Sequence, residues 1–469
     1  MKPFPDPRTG KAAALYAPAD IVRSGLCIGC GGCAAANPDA EMRWDKHGFL
    51  RPDGPRDWLE SPSDAFSRQC PFSPSAADED SLAAERFAGS STRDPRIGRF
   101  EAAYVGHAID DPFRRQGSSG GLTNWVAAEL LRTGAVDGVA HVVPADRRAT
   151  GRLFEYRVSR SLEELSAGAK SRYYPIELSA VLREIRATPG RYAIVGIPCF
   201  IKAVHLLRRV DPILAERVTH TLGLFCGHMK SAALVESFAL QLGTEIGRVR
   251  ALDYRLKDET RPANWYRAHL ELEDGATAAK DWWHLAEGDW GAGFFQHPAC
   301  DWCDDVVGET ADISFGDAWV EPHTSNGRGT NVVIVRKKTL HRMIEDARSD
   351  SRLALEHVDA EFIVRTQAAG LRHRRDGLAY RLTWRRRGIR PRKRVAPAAA
   401  LPLRRKLVYR MRYGIGRWSH RIFALAKLVR RPSLYLLWAR SSLRLYQALT
   451  WSRGRLGVLL DRLMPQPER

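Results

Sequence analysis

The stretch "SGLCIGCGGCAAANP", residues 24–38, places three thiols within seven residues, at positions 27, 30 and 33. A buried structural cysteine behaves as a small apolar residue, so packing gives it no reason to recur at every third position. The thiolate form of cysteine is the form that binds metal. The spacing therefore indicates that Cys27, Cys30 and Cys33 share a ligand, which would organise the fold of the N-terminal part of the chain.

A fourth thiol follows at Cys70, in the sequence "RQCPFSP". Bacterial iron-sulfur sequences have the form C-x2-C-x2-C followed by Cys-Pro, whereas zinc usually takes its thiols from two separated pairs. Here 36 residues lie between Cys33 and Cys70, where the compact form has three. Glycines at 29, 31 and 32 suit a chain that wraps closely around a cluster. We expect an iron-sulfur cluster here, with zinc as the alternative and disulfides less favoured.

Length and composition are those of a globular protein with two or three domains. The chain has 469 residues, 44% of them hydrophobic and 27% charged. The N-terminus, "MKPFPDPRTGKAAALYAPAD", contains no apolar segment of signal-peptide length. We therefore expect the protein in the cytoplasm, where cysteines more often hold metal than form disulfides.

The positive charge is confined to the C-terminal part of the sequence. Residues 385–469 contain 23 Lys and Arg residues against two acidic residues, whereas the first 384 residues contain 50 basic and 52 acidic residues. The formal net charge of +19 therefore comes from the tail. Any argument for a polyanionic partner applies to that segment alone.

Two further cysteines lie where strands are predicted to lead into helices. "RYAIVGIPCFIKAVHLLRRV" reads as a strand, a loop and a helix that begins at Cys199. "RVTHTLGLFCGHMKSAALVESFALQL" repeats this plan, with a strand ending near Phe225, Cys226 in the loop, and a helix beginning at about Lys230. Both thiols would lie beyond the carboxyl ends of strands, the edge at which open α/β sheets build their sites.

The last two cysteines, Cys300 and Cys303, form a C-x2-C pair on a predicted loop, "HPACDWCDD". Taken alone, this pair suggests a zinc knuckle or a redox dithiol. Cys199 and Cys226, taken alone, would be interpreted as buried core residues. Counted together, the four make a second set equal in size to the first. We expect this set to hold a second cluster.

A Gly/Ser-rich loop and a basic, aromatic segment are candidates for binding a cofactor that carries phosphate. The loop "GSSGG", residues 117–121, opens a predicted helix, and small residues there let backbone N–H groups approach an anion. The segment "AGAKSRYYP", residues 167–175, contains cations and a hydroxyl that suit a phosphate, and rings that suit a flat heterocycle. A solvated basic turn is an equally good interpretation of this segment. The candidate binding residues in these two segments are Ser118, Ser119, Gly120, Gly121, Lys170, Ser171, Arg172 and Tyr173.

The segment "ETADISFGDAWVEP", residues 309–322, alternates as a strand. We expect Gly316 and Asp317 to form a turn after that strand. Asp317 is therefore either a turn residue or a residue that orients a cofactor, and turn statistics favour the first role.

The order of these motifs resembles that of the coenzyme F420 hydrogenase/dehydrogenase beta-subunit family. The resemblance covers residues 20 to about 340, and the family includes bacterial members associated with exopolysaccharide synthesis. The motifs that carry it are "CIGCGGC", "CP", "GSSGG", "DG" at 137–138, "KSRYY", "VGIPC", "GLFCG", "HPACDWC" and "DISFGDAW".

The resemblance implies an FAD enzyme with two [4Fe-4S] clusters that moves electrons between a one-electron donor and a two-electron acceptor. Cys27, Cys30, Cys33 and Cys70 would hold one cluster, and Cys199, Cys226, Cys300 and Cys303 the cluster nearer the flavin. The residues named above in the loop and the basic segment would line the FAD site, with Asp317 and Asn331 as neighbours. His228 is a candidate proton donor near the flavin, although a surface or supporting role is the simpler interpretation.

The tail predicts amphipathic helices. One apolar stripe is formed by Val408, Met411, Ile415, Trp418, Ile422, Leu425 and Val429, and Pro432 ends it. Two interpretations stay open: residues 404–463 lie on an anionic membrane surface, or they pack on the body of the protein. Nucleic acid is a weaker third candidate because no recognised binding motif is present. The run "RRRGIRPRKRVAPAAALP" before the helices looks like a linker.

We therefore predict a mixed α/β (α+β) fold in three parts. Residues 1–95 form a ferredoxin-like cluster segment, 96–384 a mixed-sheet flavin domain, and 385–469 a basic helical tail. The expected function is an iron-sulfur flavoprotein oxidoreductase in polysaccharide biosynthesis at the inner membrane face, which passes electrons from a ferredoxin-type donor to an organic acceptor. The alternatives are a coenzyme F420-dependent subunit of a larger complex and a zinc-stabilised binding protein without enzymatic activity.

Overall fold

A computed structural model describes residues 14–386 and 388–464. The N-terminal part is built from short elements around the first four cysteines. Its two hairpins, β1–β2 and β3–β4, are both antiparallel. The elements are α1 (Pro18–Arg23), α2 (Gly32–Ala35), β1 (Glu41–Trp44), β2 (Leu50–Asp53), α3 (Arg56–Glu60), α4 (Asp64–Gln69), α5 (Glu79–Arg86), β3 (Thr92–Asp94) and β4 (Gly98–Phe100).

The central part combines strands and helices: they alternate in its first half, whereas its second half begins with five consecutive strands that have no α-helix between them. Its first half contains β5 (Ala102–Ala108), α6 (Phe113–Gln116), α7 (Leu122–Arg132), β6 (Gly138–Pro144), α8 (Arg147–Thr150), β7 (Phe154–Ser159), α9 (Leu162–Ser166), α10 (Ser179–Ala187), β8 (Tyr192–Gly196), α11 (Pro198–Arg208), α12 (Pro212–Arg217), β9 (Val218–Leu224) and α13 (Ala233–Gln241). Its second half contains β10 (Val249–Leu256), β11 (Arg267–Leu272), β12 (Thr277–Asp281), β13 (Ile313–Asp317), β14 (Asn331–Val335), α14 (Lys338–Ser349), β15 (Leu353–His357), α15 (Ala360–Thr366), α16 (Ala368–Arg374) and α17 (Asp376–Leu382).

An eight-stranded mixed sheet forms the centre of the protein, in the order β15-β5-β14-β13-β9-β8-β6-β7. The pairs β13–β9, β9–β8 and β8–β6 are parallel, and the remaining pairs are antiparallel. All five residues of β14, "NVVIV", are buried, as expected for a strand covered on both faces. The predicted mixed α/β fold is confirmed.

The parallel strands β8 and β9 are each followed by a helix, and both of the strand-to-helix units predicted around Cys199 and Cys226 are present. The second helix begins at Ala233 rather than at Lys230, because Lys230 pairs instead with Gln296 in an isolated bridge. Parallel strands that end at one sheet edge bring the loops after them together. This edge therefore gathers the two cysteine-bearing loops.

A three-stranded antiparallel sheet, β10–β11–β12, provides a second core beside the main sheet. Three long helical segments of the tail pack on that core with one face: α18 (Leu403–Leu428), α19 (Pro432–Trp451) and α20 (Gly454–Leu463). The tail residues buried there include Val408, Ile415, Phe423, Tyr435 and Tyr446. The tail thus packs on the body, as one of the two predicted interpretations required.

The predicted apolar stripe of the first tail helix is partly wrong. Val408 and Ile415 are buried, but Trp418, Leu425 and Val429 are exposed. The buried face instead continues through small and aromatic residues, since Ser419 and Phe423 lie against the body. Hydrophobicity alone misses such a face, because the packing there depends on shape and on hydrogen bonds such as Phe295 N–H to Ser419 Oγ at 2.9 Å.

Residues 385–386 and 388–402 form no helix or strand, as expected of a linker, but this part of the chain is docked on the body. The side chains of Lys393 and Arg394 are each 6% exposed. Arg394 forms an ion pair with Glu309 at 2.8 Å, and Lys393 forms one with Asp304 at 3.4 Å. These buried pairs fix the path of the chain from the body to the tail. Among the described residues, no helix is both long enough and apolar enough to cross a bilayer.

Glu129 on α7 ties the helical layer to the edge of the main sheet. Its buried carboxylate accepts hydrogen bonds from Arg132 at 2.6 Å and from Arg352, just before β15, at 2.8 Å. The two guanidinium groups lower the pKa of Glu129 to about 2. A carboxyl whose pKa is lower in the folded state stabilises the fold above its unfolded pKa, and this contribution is lost as the pH falls.

We expect Glu129→Gln to lower the free energy of unfolding at neutral pH by about 2 kcal/mol, because the charge-assisted hydrogen bonds are weakened. The difference from the parent protein should shrink as the pH falls from about 5 to about 3, where the parent carboxylate becomes protonated on unfolding. Urea unfolding followed across this range measures both effects. Exposed Glu163→Gln is the matched control, and an equal loss in the control would contradict the assignment.

Candidate functional site

The first four cysteines come together in the N-terminal part of the chain. Cys27 and Cys30 lie in the loop after α1, Cys33 lies in α2, and Cys70 is the C-cap of α4. Burial raises the pKa of Cys30 and Cys33, and it raises the pKa of Cys70 to about 12. Within the group, every pair of thiols is close enough for one charge to raise the pKa of the other. The four sulfurs therefore surround a common space.

Two glycines allow the loop to close around this space. Gly29 has a φ of +75°, and a Cβ there would lie 2.6 Å from the carbonyl oxygen of Leu50. Gly31 has a φ of +78°, and a Cβ there would collide with the carboxylate of Glu177. The backbone also turns its donors inward, since N–H groups of Gly32, Ala34, Phe72 and Ser73 bond to the sulfurs and lower their pKa. Such N–H to sulfur bonds are typical of iron-sulfur ligation.

The other four cysteines gather at the carboxyl edge of the parallel strands. Cys199 lies in the first turn of α11, Cys226 follows β9, and Cys300 lies in a 3-10 turn, Pro298–Trp302, with Cys303 just after it. The C-x2-C pair is thus held by a tight turn rather than by an open loop. Burial raises the pKa of Cys226 to about 12, and every pair within this group is also electrostatically coupled.

The two groups of thiols are neighbours within one hydrophobic core. Burial and the three other thiols of the second group raise the pKa of Cys199, and Cys30 of the first group raises it further. Tyr156 lies against both, because Cys199 and Cys30 add to the effect of burial in raising its pKa. Its hydroxyl donates to the carbonyl of Val195 at 2.9 Å. The structure therefore connects the two sites through Cys30, Cys199 and the ring of Tyr156.

A buried arginine serves the second group. The Arg374 side chain, at the end of α16, donates to the carbonyls of Cys300 at 3.4 Å, of Cys226 at 3.3 Å and of Gly227. Burial lowers the pKa of Arg374, but the four thiols of the second group raise it by more. The same cation lowers the pKa of Cys226, Cys300 and Cys303 against the effect of burial. Arg374 is thus a fixed positive charge beside that group.

All eight cysteines are free thiols. Among residues 14–386 and 388–464, no group of three or more His, Cys, Asp or Glu side chains is arranged to hold a single metal ion. The donor set nevertheless has the composition that a cubane cluster uses, four thiols with backbone N–H groups at the sulfurs. Both groups fit that ligand.

The Gly/Ser-rich loop lies where it was predicted, immediately before α7. The N–H of Leu122, the first residue of that helix, donates to Asn331 Oδ1 at 3.2 Å, and Asn331 Nδ2 donates to the carbonyl of Gly316 at 3.0 Å. Ser119 Oγ donates to the carbonyl of Thr330 at 3.1 Å. Gly121 has a φ of +82°, which suits the turn into the helix. Asn331 thus fixes the loop against β13 and β14.

The basic, aromatic segment meets this loop. The N–H of Ser171 donates to Ser118 Oγ at 2.9 Å, and Lys170 forms an ion pair with Asp253 at 3.2 Å. The Arg172 guanidinium lies 4.8 Å from the centre of the Phe154 ring. These side chains rest against the protein rather than project into solvent. The two segments proposed from sequence therefore form one surface.

Asp317 was expected in a turn, and this prediction is wrong. Gly316 and Asp317 belong to β13, where Asp317 pairs with Asn331 of the neighbouring strand. Its carboxylate forms an ion pair with Arg255 at 2.9 Å. Tyr173 lies beside this pair, and burial raises its pKa, with smaller effects from Arg255, Asp317 and Cys226. Tyr173 therefore connects the proposed cofactor surface to the second group of thiols.

His228 is buried, so the interpretation of it as a surface histidine is wrong. Its ring stacks on Trp290 with the centres 4.4 Å apart, and Trp290 also contacts Tyr173 at 4.7 Å. Burial lowers the pKa of His228 far below its usual value, and the cations of Lys230, Arg412 and Arg374 lower it further. The imidazole is therefore neutral and can donate only through its N–H.

Three buried nitrogen atoms around this surface have no hydrogen-bond partner among the described residues: Nε of Arg172, Nε of Arg255 and Nε2 of His228. Buried donors are normally paired, so unpaired buried donors near one surface suggest a ligand. Cations, hydroxyls and a Gly/Ser loop are suited to a phosphate, and rings to a flat heterocycle. The donor chemistry of this surface is therefore compatible with a flavin dinucleotide.

Sequence reasoning missed several residues of the site. Lys257 donates to the carbonyls of Arg114, Ser119 and Arg328, and burial together with Lys170 and Arg114 lowers its pKa to about 7. Arg255, Trp290 and Arg374 were also missed. None lies in a recognisable motif, and each is brought to the site only by the tertiary fold.

Comparison with known proteins identifies the family. The profile described as coenzyme F420 hydrogenase/dehydrogenase, beta subunit N-term matches residues 103–183, and the profile for the C terminus of the same subunit matches residues 190–361. The chain belongs to the coenzyme F420 hydrogenase/dehydrogenase beta-subunit family. Four of the eight cysteines, Cys27, Cys30, Cys33 and Cys70, precede the matched ranges, and the other four lie within the C-terminal match.

Two proteins are similar to this family member. It is 23% identical over 311 residues to the coenzyme F420-dependent sulfite reductase of Methanocaldococcus jannaschii. The matched region covers 63% of this chain and 43% of that relative. It also resembles a chain of the F420-reducing [NiFe] hydrogenase complex from Methanosarcina barkeri, with 17% identity and a TM-score of 0.46 over 60% of this chain and 92% of that one. The chain thus spans less than half the length of the curated relative.

The tight packing of the Gly/Ser loop gives a direct test of its geometry. A Cβ at Gly120 would lie 2.8 Å from both Asn331 Oδ1 and the carbonyl oxygen of Gly106. We expect Gly120→Ala to lower the free energy of unfolding by about 2 kcal/mol, because the backbone of two strands must move to admit the methyl group. Urea unfolding measures this, with Gly89→Ala as control, where a Cβ would meet nothing within 4 Å. Equal stability of the two variants would refute the predicted geometry.

Proposed function

We propose that this family member is an iron-sulfur flavoprotein oxidoreductase with two [4Fe-4S] clusters and FAD. It would pass electrons from a ferredoxin-type donor to an organic acceptor. The observation that carries this proposal is the presence of two groups of four thiols in one hydrophobic core, with Cys30 of the first group close enough to affect the pKa of Cys199 in the second. A surface suited to a flavin dinucleotide adjoins the second group through Tyr173.

The division of labour follows from the chemistry of the groups. Bound clusters supply one-electron transfer, and a bound flavin supplies the conversion between single electrons and a two-electron hydride. The protein contributes position and electrostatics. Cys27, Cys30, Cys33 and Cys70 would hold the outer cluster, and Cys199, Cys226, Cys300 and Cys303 the cluster nearer the flavin.

Several residues of the chain would bind the flavin. Ser118, Ser119, Gly120 and Gly121 would approach its phosphates, together with Lys170, Ser171 and Arg172. Tyr173 would contact the ring system, with Asp317 and Asn331 holding the adjacent strands in register. His228, which is buried with its ring stacked on Trp290, would act as a proton donor near the flavin through its N–H.

Arg374 has a separate role in this proposal. A positive charge fixed beside the second group of thiols favours the reduced, more negative form of whatever metal centre they hold. The first group is served instead by Lys202, whose effect on the pKa of Cys70 is smaller than those of the backbone donors. This difference in positive charge between the two groups would favour reduction at the second group, and it would therefore direct electrons toward the flavin.

A second candidate for the redox partner is coenzyme F420 itself. The names of both relatives refer to F420, and one of them is a chain of a larger hydrogenase complex. On that alternative the chain would be an F420-dependent subunit of an assembly. A role in polysaccharide biosynthesis remains part of the proposal through the family resemblance alone.

Metal analysis of anaerobically prepared protein tests the cluster proposal. We expect about eight iron atoms, about eight sulfides and one FAD per chain. Cys199→Ser should reduce iron to about four atoms per chain, and Cys30→Ser should do the same, because each removes a ligand from a different cluster. Met229→Leu, which alters an apolar side chain beside Cys300, should retain full iron and serves as the control.

Two results would contradict this assignment. An unchanged iron content in Cys199→Ser would show that the second group of thiols does not bind a cluster. Colourless protein with stoichiometric zinc would support the zinc-stabilised, non-enzymatic alternative instead.

The redox partner is tested by mixing the flavin-loaded protein with reduced donors under anaerobic conditions. We expect reduced ferredoxin to bleach the flavin absorbance rapidly, through the outer cluster, whereas reduced F420 should not. In Cys30→Ser the bleaching by ferredoxin should be lost. Fast bleaching by reduced F420 in the parent protein would instead establish the F420-dependent alternative.

A further inference from the structure

The outer surface of the tail is unusual in its exposed apolar side chains. Of the 21 large hydrophobic side chains that are exposed among the described residues, 13 lie between 403 and 463. Ten of these fall in two groups of five, one where α18 turns into α19 and the other between 451 and 463. We name residues 425–437 the hairpin tip. Its exposed apolar side chains, with their exposed fractions, are Leu425 (53%), Leu428 (81%), Val429 (44%), Leu434 (45%) and Leu437 (70%).

The charged side chains that belong to the hairpin tip are all positive. Lys427, Arg430 and Arg431 are exposed there. The sequence contains no Asp or Glu between Asp376 and Asp461. The body contributes the carboxylate of Glu236, which forms an ion pair with Lys427 at 2.6 Å. Arg430 and Arg431 are exposed and form no ion pair with another described residue.

The two helices are firmly attached to the body, so the tip is a fixed feature. Phe423 packs on Phe295 with the ring centres 5.4 Å apart, and Tyr435 packs on Phe423 at 5.0 Å. The Tyr435 hydroxyl donates to the buried carboxylate of Glu287 at 2.6 Å. Because the inner face is used in this way, the apolar residues of the tip have no remaining partner within the described chain.

We propose that the hairpin tip inserts into the interfacial region of an anionic lipid bilayer. Aliphatic side chains would enter the boundary between headgroups and acyl chains, while Arg430 and Arg431 contact the negatively charged headgroups. Trp418 extends this surface along α18, exposed by 51%, with the Arg421 guanidinium 5.1 Å from its ring centre. The enzyme would thus be held at a membrane surface without a spanning helix.

A bilayer fits these observations better than the other polyanionic or apolar partners. Nucleic acid is bound through charged and aromatic groups, and it gains nothing from a cluster of exposed leucines. A second copy of this chain would bring the same positive charge to the interface, which opposes association. The combination of aliphatic and cationic side chains matches an anionic lipid surface.

Vesicle flotation of the full-length protein tests this proposal. We expect tight association with vesicles of mixed phosphatidylcholine and phosphatidylglycerol, and much weaker association with phosphatidylcholine alone. Leu428→Glu/Leu437→Glu should weaken binding to the mixed vesicles by about tenfold or more, because it removes apolar contact and adds repulsion. Arg430→Gln/Arg431→Gln should weaken it by a smaller factor and reduce its dependence on salt.

The control is Leu162→Glu/Val210→Glu, which makes the same change at exposed apolar positions of the body. It should bind vesicles as the parent does, and thermal unfolding of all variants confirms that they are folded. Binding by the Leu428/Leu437 variant equal to that of the parent would overturn the proposal. The proposal would also be overturned if the parent protein were a dimer that the Leu428/Leu437 variant converts to a monomer. Displacement of the parent protein from vesicles by equimolar nucleic acid would overturn it as well. None of these outcomes depends on iron or flavin content.

Discussion

Mutual repulsion among buried thiolates is the constraint on which the rest of the structure depends. Burial raises the pKa of Cys33 and of Cys199, and the other thiols of each group raise it further. Such a group cannot hold its negative charge in an apolar core unless positive charge is supplied to it. The fold meets this requirement with backbone N–H groups around Cys30 and Cys70, and with the buried guanidinium of Arg374 beside the second group.

The architecture positions these groups by ordinary means. Parallel strands β8 and β9 end at one sheet edge and deliver Cys199 and Cys226 there, and a 3-10 turn adds the C-x2-C pair. The N-terminal segment then docks beside this edge and brings Cys30 next to Cys199. Beyond the family domains, α16 supplies Arg374, the segment 385–402 is fixed by buried ion pairs, and the tail covers the second core.

The sequence predicts those features that depend on local pattern. The mixed sheet, the two strand-to-helix units and the position of the Gly/Ser loop follow from hydrophobic periodicity and glycine placement, and they are confirmed. Asp317 was misplaced because Gly-Asp is a common turn pair, and only the pairing with Asn331 keeps it in β13. Arg374 and Lys257 could not be predicted, because their roles depend on contacts with residues more than 70 positions away along the chain, such as Cys300 and Arg328. The buried face of the first tail helix was missed for a related reason, since Ser419 is buried by a hydrogen bond to Phe295 rather than by hydrophobicity.

The central claim is that two neighbouring groups of thiols hold two clusters in one core. Electron paramagnetic resonance of the protein reduced under anaerobic conditions tests it most directly. We expect two paramagnetic centres whose spectra are broadened and split by their magnetic interaction, with the splitting lost in Cys30→Ser. Two independent spectra without interaction, or the absence of any cluster signal from fully reduced protein, would contradict the claim.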